Sequence, residues 1–302
     1  MSTPAGFRFL VNPSSGGGAA PEAVVPVARL LRDAGAEVEV TYSPGPQAMR
    51  ALVDAALDRG DVIVSVGGDG MLSSLAGPVA EGGGVLGVLP AGRGNDFARM
   101  LDLPTTPEAQ AELFLSGATR AVDLISYADR LVAGSVYAGV DARASEIVDR
   151  ARLLPGTLQY PYAALRSLAT YRPGRYRVAV DGEEREFSAA TVVVANSAYY
   201  GKGMRIAPAA SLADGLLDVV VIEAASRIAL MRALPSVYDG SHVERDEVHV
   251  LTGRRVELSG SGRGRAPIPV GGDGEPLGSL PGPDEQPAVV EVRPGALTVL
   301  AP

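Results

Sequence analysis

The sequence predicts an α/β domain followed by an antiparallel β domain, on three observations. The chain has 302 residues, enough for two domains of ordinary size. Over its first third, short apolar runs alternate with stretches of helical spacing, the pattern of parallel βαβ units. From about residue 124 onward, period-two alternation takes over, the pattern of antiparallel sheets.

The elements follow in order. RFLVN (8–12) reads as a strand and VVPVARLLRDAG (24–35) as a helix that Gly35 stops. AEVEVTY (36–42) is a second strand, and Ala48, Ala51, Leu52, Ala55 and Ala56 carry helical spacing. DVIVSV (61–66) is a third strand, almost continuously apolar, as buried parallel strands are. MLSSLAGPVA (71–80) is a short helix and VLGVLP (85–90) a fourth strand. The second region offers RYRVAVDG (175–182), EFSAATVVVAN (186–196), LLDVVVIE (216–223) and VHVLTGRRVELSG (248–260) as strand texture, interrupted by a helical stretch at about 140–171. The tail AVVEVRPGALTVLAP reads as two short strands around a Pro-Gly turn.

Composition removes several classes. The chain is 46% apolar and 21% charged, so it can bury a full core. No apolar run reaches the roughly 18 residues of a membrane span. The N-terminus lacks the layout of a signal peptide. Cysteine is absent, which excludes disulfides and thiolate sites and fits a reducing compartment. Only His242 and His249 are present, too few for a histidine metal cluster or triad, and both read as surface or strand residues. A net charge of -8 argues against a nucleic-acid binder. Lys202 is the only lysine, so the lysine-bearing phosphate loop GxxxxGK[ST] is excluded.

Three glycine-rich stretches fall where strands end: NPSSGGG (12–18), GGDGMLS (67–73) and AGRGNDFAR (91–99). Ligands of open parallel sheets sit beyond the carboxyl ends of the strands. Glycines let backbone N–H groups approach a phosphate, and a following helix adds its dipole. One such loop is as readily a turn. Three at one edge of one sheet favour phosphate.

NPSSGGG, VGGDGMLS, LPAGRGNDFAR, ADGLLDVVVI and GGDGEP, in this order over nearly the whole chain, resemble the diacylglycerol kinase catalytic family. That superfamily includes sphingosine and ceramide kinases and, more distantly, NAD kinases and phosphofructokinases. The resemblance implies a Rossmann-like nucleotide domain of the phosphofructokinase and NAD-kinase kind over residues 1–123. It implies a β-sandwich domain over 124–287 for lipid and Mg²⁺, a cleft between the two, and a segment 288–302 that returns to the first domain. The activity implied is transfer of the γ-phosphoryl group of ATP to a lipid hydroxyl, diacylglycerol by default. A sphingoid base or other lipid alcohol, or a weakly active or non-catalytic homologue, is the alternative.

Residue by residue, Asn12, Pro13, Ser14, Ser15 and Gly16 resemble the first nucleotide loop, and Ser43 a hydroxyl that touches the nucleotide. Gly67, Gly68, Asp69, Gly70, Met71, Leu72 and Ser73 resemble the phosphate loop. Arg93, Asn95 and Asp96 lie in the third loop. Ser211, Asp214 and the backbone of Leu216 resemble a magnesium site, with Asp218 behind it. Asp69 and Glu275 are the catalytic acids the resemblance implies: either could be the general base, with Glu275 favoured by its place in the family pattern and Asp69 assigned to the metal–phosphate network. Without a phosphate-loop lysine, N–H groups, arginine and Mg²⁺ must neutralise the transferred group. An alcohol becomes a competent nucleophile when a carboxylate takes its proton. Two departures stand out: Met71 and Arg93 occupy threonine positions of the family pattern.

A lipid substrate implies a cytoplasmic protein that visits the inner membrane face. Arg143, Arg150, Arg152, Arg166, Arg172, Arg175 and Arg177, against only Glu146 and Asp149, form the expected membrane-facing stretch, interleaved with Tyr160, Tyr162, Leu165 and Leu168. A solvated helix face is the competing reading. A homodimer is left open.

Overall fold

Phe7–Val11 (β1), Val62–Gly67 (β3) and Val85–Pro90 (β4) are apolar runs with almost no exposed position. They form the centre of a parallel sheet completed by Val38–Tyr42 (β2) at one side. These strands belong to the first of two compact units in a computed structural model that describes residues 6–43, 45–143, 162, 166–167 and 172–302. That unit comprises Met1–Leu124 and Pro294–Pro302, the other Ile125–Arg293.

In the first unit the strand order is β2-β1-β3-β4. Helices Ala20–Asp33 (α1), Pro46–Asp58 (α2) and Asp69–Glu81 (α3) connect successive strands, and Asp96–Met100 (α4) and Pro107–Ser116 (α5) follow β4. The buried residues of α1 are Ala20, Val24, Val27, Ala28 and Leu31. Their three- and four-residue spacing makes one apolar stripe against the sheet. Phe114 of α5 stacks on Phe7 and meets Phe9 edge-on, which closes the core.

The second unit is an antiparallel, sandwich-like β domain. Its strands are Arg130–Val132 (β6), Ser135–Gly139 (β7), Gly174–Val180 (β8), Glu183–Ala195 (β9), Leu217–Glu223 (β10), Val248–Gly253 (β11), Arg255–Ser261 (β12), Pro269–Gly272 (β13) and Glu275–Ser279 (β14). Thr119–Tyr127 (β5) leads from the first unit into the second and pairs with β6. The β9 strand is central: it pairs with β7, β8 and β10. Its second half, from Ala189 to Ala195, is wholly buried. The helix Arg227–Asp239 (α6) starts at Ser226, whose hydroxyl accepts the Ala229 N–H.

Three sequence expectations change. The tail is one strand, Ala288–Leu300 (β15), and not two around a turn. Its first residues pair antiparallel with β12 and its last pair parallel with β4. At Pro294-Gly295 the strand continues because the buried Asp123 carboxylate takes the Gly295 N–H at 2.7 Å. The stretch 248–260 is two strands, β11 and β12, broken at Arg254, where the Asp181 carboxylate accepts the N–H groups of Arg254 and Arg255. His242 is buried, 1% exposed, with Nε2 on the Ile206 carbonyl. Its neighbours His249 and Glu223 form a strand-to-strand pair. The helical stretch expected at 140–171 lies largely outside the described residues.

Candidate active site

Register brings the three glycine loops of the first unit together. Val11 of β1 stands opposite Val66 of β3, and Gly67 opposite Pro90 of β4. The three strands therefore end level. Asn12 N–H continues the ladder onto Val66 O, and Ala91 N–H onto Gly67 O. The chain leaves β1 for β2 on one side and β3 on the other, so β1/β3 is the topological switch point, where doubly wound sheets open a crevice. The loops 12–18 and 67–73 flank that point.

The loops also touch. A Cβ on Gly16, whose φ is 65°, would collide with the Ala91 carbonyl, and one on Gly92 with the Gly68 Cα. Glycine is needed here because main chain packs on main chain. Asn95 takes φ 55° and uses both ends of its amide on Gly92: Oδ1 accepts the Gly92 N–H at 2.9 Å and Nδ2 donates to the carbonyl at 3.2 Å. It clamps the third loop. Asn12 Oδ1 accepts the Ser14 N–H and so shapes the first. Pro13 and Ser14 are exposed beside it. Ser43 caps β2, its N–H on Val11 O, at the same edge.

Asp69 begins α3, so the first N–H groups of that helix, at Asp69 and Gly70, have no partner within it. The Asp69 carboxylate accepts the Phe97 N–H from the start of α4 at 3.2 Å. Burial pushes its carboxyl above the usual range, and the Phe97 and Asp96 N–H groups pull it back. An acid held in this balance at a helix start is suited to a cation-bound polyanion.

The two departures from the family pattern have structural answers. Met71 is buried, 6% exposed, and fills core behind the loop alongside Leu72. The Ser15 hydroxyl lies 2.9 Å from where a Gly67 Cβ would be, and with Ser73 it leaves hydroxyls at the loop. Arg93 is exposed; its guanidinium lies over Gly17 of the first loop, and no described carboxylate pairs with it. It adds positive charge without filling the crevice.

In the second unit, Ser211, Asp214, Leu216 and Asp218 lie in one turn entering β10. Asp214 Oδ1 accepts the Leu216 N–H at 3.0 Å and Ser211 Oγ accepts the Ala213 N–H. Asp218 is 8% exposed and accepts the Thr252 hydroxyl at 2.9 Å. Burial raises its carboxyl above the usual range, and the Asp214 charge adds to this. The turn and the start of β10 thus gather two carboxylates and other hard oxygen donors. Among the described residues no three histidine or acidic side chains gather, but Mg²⁺ is bound through one or two carboxylates and keeps several waters. The donor set fits it.

Glu275 opens β14, opposite Gly272, exposed and without a described hydrogen-bond or ion-pair partner. A carboxylate so displayed is available to a hydroxyl. Sequence reasoning missed Asp141, which accepts the Thr191 hydroxyl at 2.6 Å. Burial raises its carboxyl, and burial together with the Asp141 charge pushes the Tyr200 phenol far up. Nothing in the local sequence marks it as buried.

Of the expected basic stretch, Arg150 and Arg152 lie outside the described residues, as do Tyr160, Leu165 and Leu168. Arg177 is engaged by Glu184 and Glu186, and Arg166 by the Tyr162 hydroxyl at 2.6 Å. Arg143 and Arg172 instead join Arg263 around a cavity of about 180 Å³ whose floor includes Tyr176 and Ile268. No described carboxylate pairs with these three.

Residues 6–127 match the diacylglycerol kinase catalytic domain, and residues 134–301 the YegS C-terminal NAD kinase beta sandwich-like domain. A diacylglycerol kinase of Mycobacterium tuberculosis is 34% identical, over 97% of this chain and 94% of its own. One from Bacillus subtilis is 26% identical over 91% of each. The solved structure of a diacylglycerol kinase from Bacillus anthracis str. Sterne superposes with a TM-score of 0.73 at 17% identity, covering 100% of this chain and 98% of that one. The glycine loops in register on a parallel sheet, the sandwich-like second unit and these matches lead to one conclusion: the chain belongs to the diacylglycerol kinase catalytic-domain family.

Proposed function

We propose that the chain is an ATP-dependent lipid kinase that transfers the γ-phosphoryl group to a lipid hydroxyl, diacylglycerol being the first candidate, to give phosphatidic acid. The observation that carries this reading is the level ending of β1, β3 and β4, which gathers three glycine loops at the β1/β3 switch point. Lipid kinase relatives that align along nearly the whole chain support the reaction class.

The two units divide the work. In the first, the N–H groups of Asp69 and Gly70, the hydroxyls of Ser15, Ser43 and Ser73, and the Arg93 guanidinium hold the triphosphate. Asp69 orients its metal-bound end. In the second, Glu275 accepts the proton of the lipid hydroxyl as transfer proceeds. Ser211 Oγ, the Asp214 carboxylate and the Leu216 carbonyl would hold Mg²⁺, which supplies neutralising charge. Arg143, Arg172 and Arg263 face the headgroup region of an anionic leaflet, where each basic side chain gains about 1 kcal/mol. Among the described residues no helix is long and apolar enough to cross a membrane; in this reading the enzyme meets its lipid through the arginine surface, at the inner face of the membrane.

Incubation with labelled ATP, Mg²⁺ and separate samples of diacylglycerol, monoacylglycerol and a sphingoid base tests the proposal. Label in phosphatidic acid is expected. Label in another lipid reassigns the acceptor. Tight ATP binding with no labelled lipid overturns the kinase reading.

A further inference from the structure

The hairpin that carries Glu275 is held by more than its own strand pairing. Asp273 and Gly274 form its two-residue turn, with φ 47° and 92°, the positive values of a type I′ turn. Such a turn accepts asparagine as readily as aspartate. Here the acid has a separate use. Asp273 Oδ2 accepts the Ala133 N–H at 2.8 Å, and Oδ1 accepts the N–H groups of Gly134 and Ser135 at 3.0 and 2.9 Å. Three consecutive main-chain donors thus converge on one carboxylate. The Asp273 N–H returns to the Ser135 carbonyl at 3.2 Å. Gly274 N–H donates to the Tyr137 hydroxyl at 3.0 Å.

The far side of the 133–135 segment is equally fixed. Asn196 Nδ2 donates to the Ala133 carbonyl at 2.9 Å, and the N–H groups of Asn196 and Ser197 to the Gly134 carbonyl. A Cβ on Gly134 would lie 2.8 Å from Asp273 Oδ1, so only glycine admits the carboxylate. Glu275 is two residues from this anchor. It has no side-chain partner of its own among the described residues, so its position is inherited from the hairpin.

We infer that Asp273 is the positioning residue for Glu275: its carboxylate, seated in the 133–135 main-chain nest, fixes where the base stands. The inference rests on the reading of Glu275 as the base. General-base transfer requires hydrogen-bond reach, and a misplacement of about 1 Å can cost on the order of 10²-fold. Asp273→Asn keeps one acceptor oxygen but turns an NH₂ group toward N–H donors, which opens the nest.

The test is a double-mutant cycle on phosphoryl transfer, with KM for ATP and the melting temperature recorded for each variant. Asp273→Asn alone lowers kcat by roughly 10- to 100-fold and leaves KM for ATP within about twofold. In the Glu275→Gln background the same substitution changes kcat by less than about threefold, because the group it positions is already gone. If the two losses multiply, Asp273 does not act through Glu275 and the inference is overturned. If Asp273→Asn fails to fold, Tyr137→Phe, which removes the acceptor of the Gly274 N–H, takes its place in the cycle. It gives a smaller loss of kcat with the same non-additivity, and full additivity there also overturns the inference. If Glu275→Gln retains wild-type turnover, the base assignment itself has failed, which a normal Asp273→Asn with an inactive Glu275→Gln distinguishes.

Discussion

Two main-chain cradles in this molecule have opposite fates. In the first unit, the start of α3 leaves the Asp69 and Gly70 N–H groups without helical partners, at the tips of β1 and β3. In the second, the N–H groups of Ala133, Gly134 and Ser135 are filled by the protein's own Asp273 carboxylate. The chemistry is the same, converging donors that favour an anion. An unfilled cradle is a place for a ligand, whereas a filled one is a fastening. A Gly-Asp-Gly stretch takes part in both, supplying the donors at 68–70 and the filling carboxylate at 272–274, so residue type alone does not separate binding from positioning.

Breaking each cradle in turn gives the predictions. The largest effect is expected from Glu275→Gln, which removes the carboxylate proposed as the base. Transfer falls by about 10²- to 10⁴-fold, with the melting temperature and Mg·ATP affinity unchanged; a turnover near wild type moves the base elsewhere. Next, Asp69→Asn abolishes most transfer yet leaves the fold at least as stable at neutral pH. The sign follows from burial: the folded Asp69 carboxyl is raised above its unfolded value, so its ionised form disfavours the folded state above the carboxylate range. A melting temperature lower than wild type contradicts this.

Gly70 offers a cleaner probe of the open cradle. Its φ is not positive and a Cβ there meets nothing within 4 Å. Gly70→Leu is expected to fold normally and to weaken Mg·ATP by roughly tenfold or more, about 1.4 kcal/mol; unchanged affinity in a titration places the triphosphate away from α3. For the surface arginines, Arg172→Glu with Arg263→Glu lowers binding to vesicles rich in anionic lipid by roughly 30-fold or more and leaves turnover on detergent-dispersed substrate unchanged. Equal binding of wild type to neutral and anionic vesicles counts against this surface.

The smallest effect concerns a residue with no part in either cradle. Burial lowers the folded pKa of His242 below its usual value of 6.5. Stability is therefore full above pH 6.5 and is lost as pH falls from there through the folded value, because the unfolded chain takes up the proton first. Denaturant midpoints measured from pH 7.5 to 5 show this decline, and His242→Gln flattens it.

The open cradle was legible in the sequence because its signals are local: a buried apolar run, then glycines, then a helix start, repeated three times. The strand order then did the rest, since level strand ends follow from parallel pairing. The filled cradle was not legible. Asp273 lies about 140 positions from the donors it engages, and a DG turn gives the same local signal whether its carboxylate faces water or a nest. The tail misled for a related reason. Pro294-Gly295 is an ordinary turn signal, and the distant β5, which pairs with this strand and whose Asp123 accepts the Gly295 N–H, keeps it running. His242 reads as a surface or strand residue, because the partner that buries it, the Ile206 carbonyl, comes from 36 residues away.

In the proposed reaction the start of α3, at the tips of β1 and β3, takes the triphosphate. Titration calorimetry of the wild-type chain with Mg·ATP, paired with its melting temperature with and without the nucleotide, tests this most directly. The account predicts saturable one-site heat and a melting temperature that rises with nucleotide concentration. No heat and no stabilisation at millimolar Mg·ATP would contradict it.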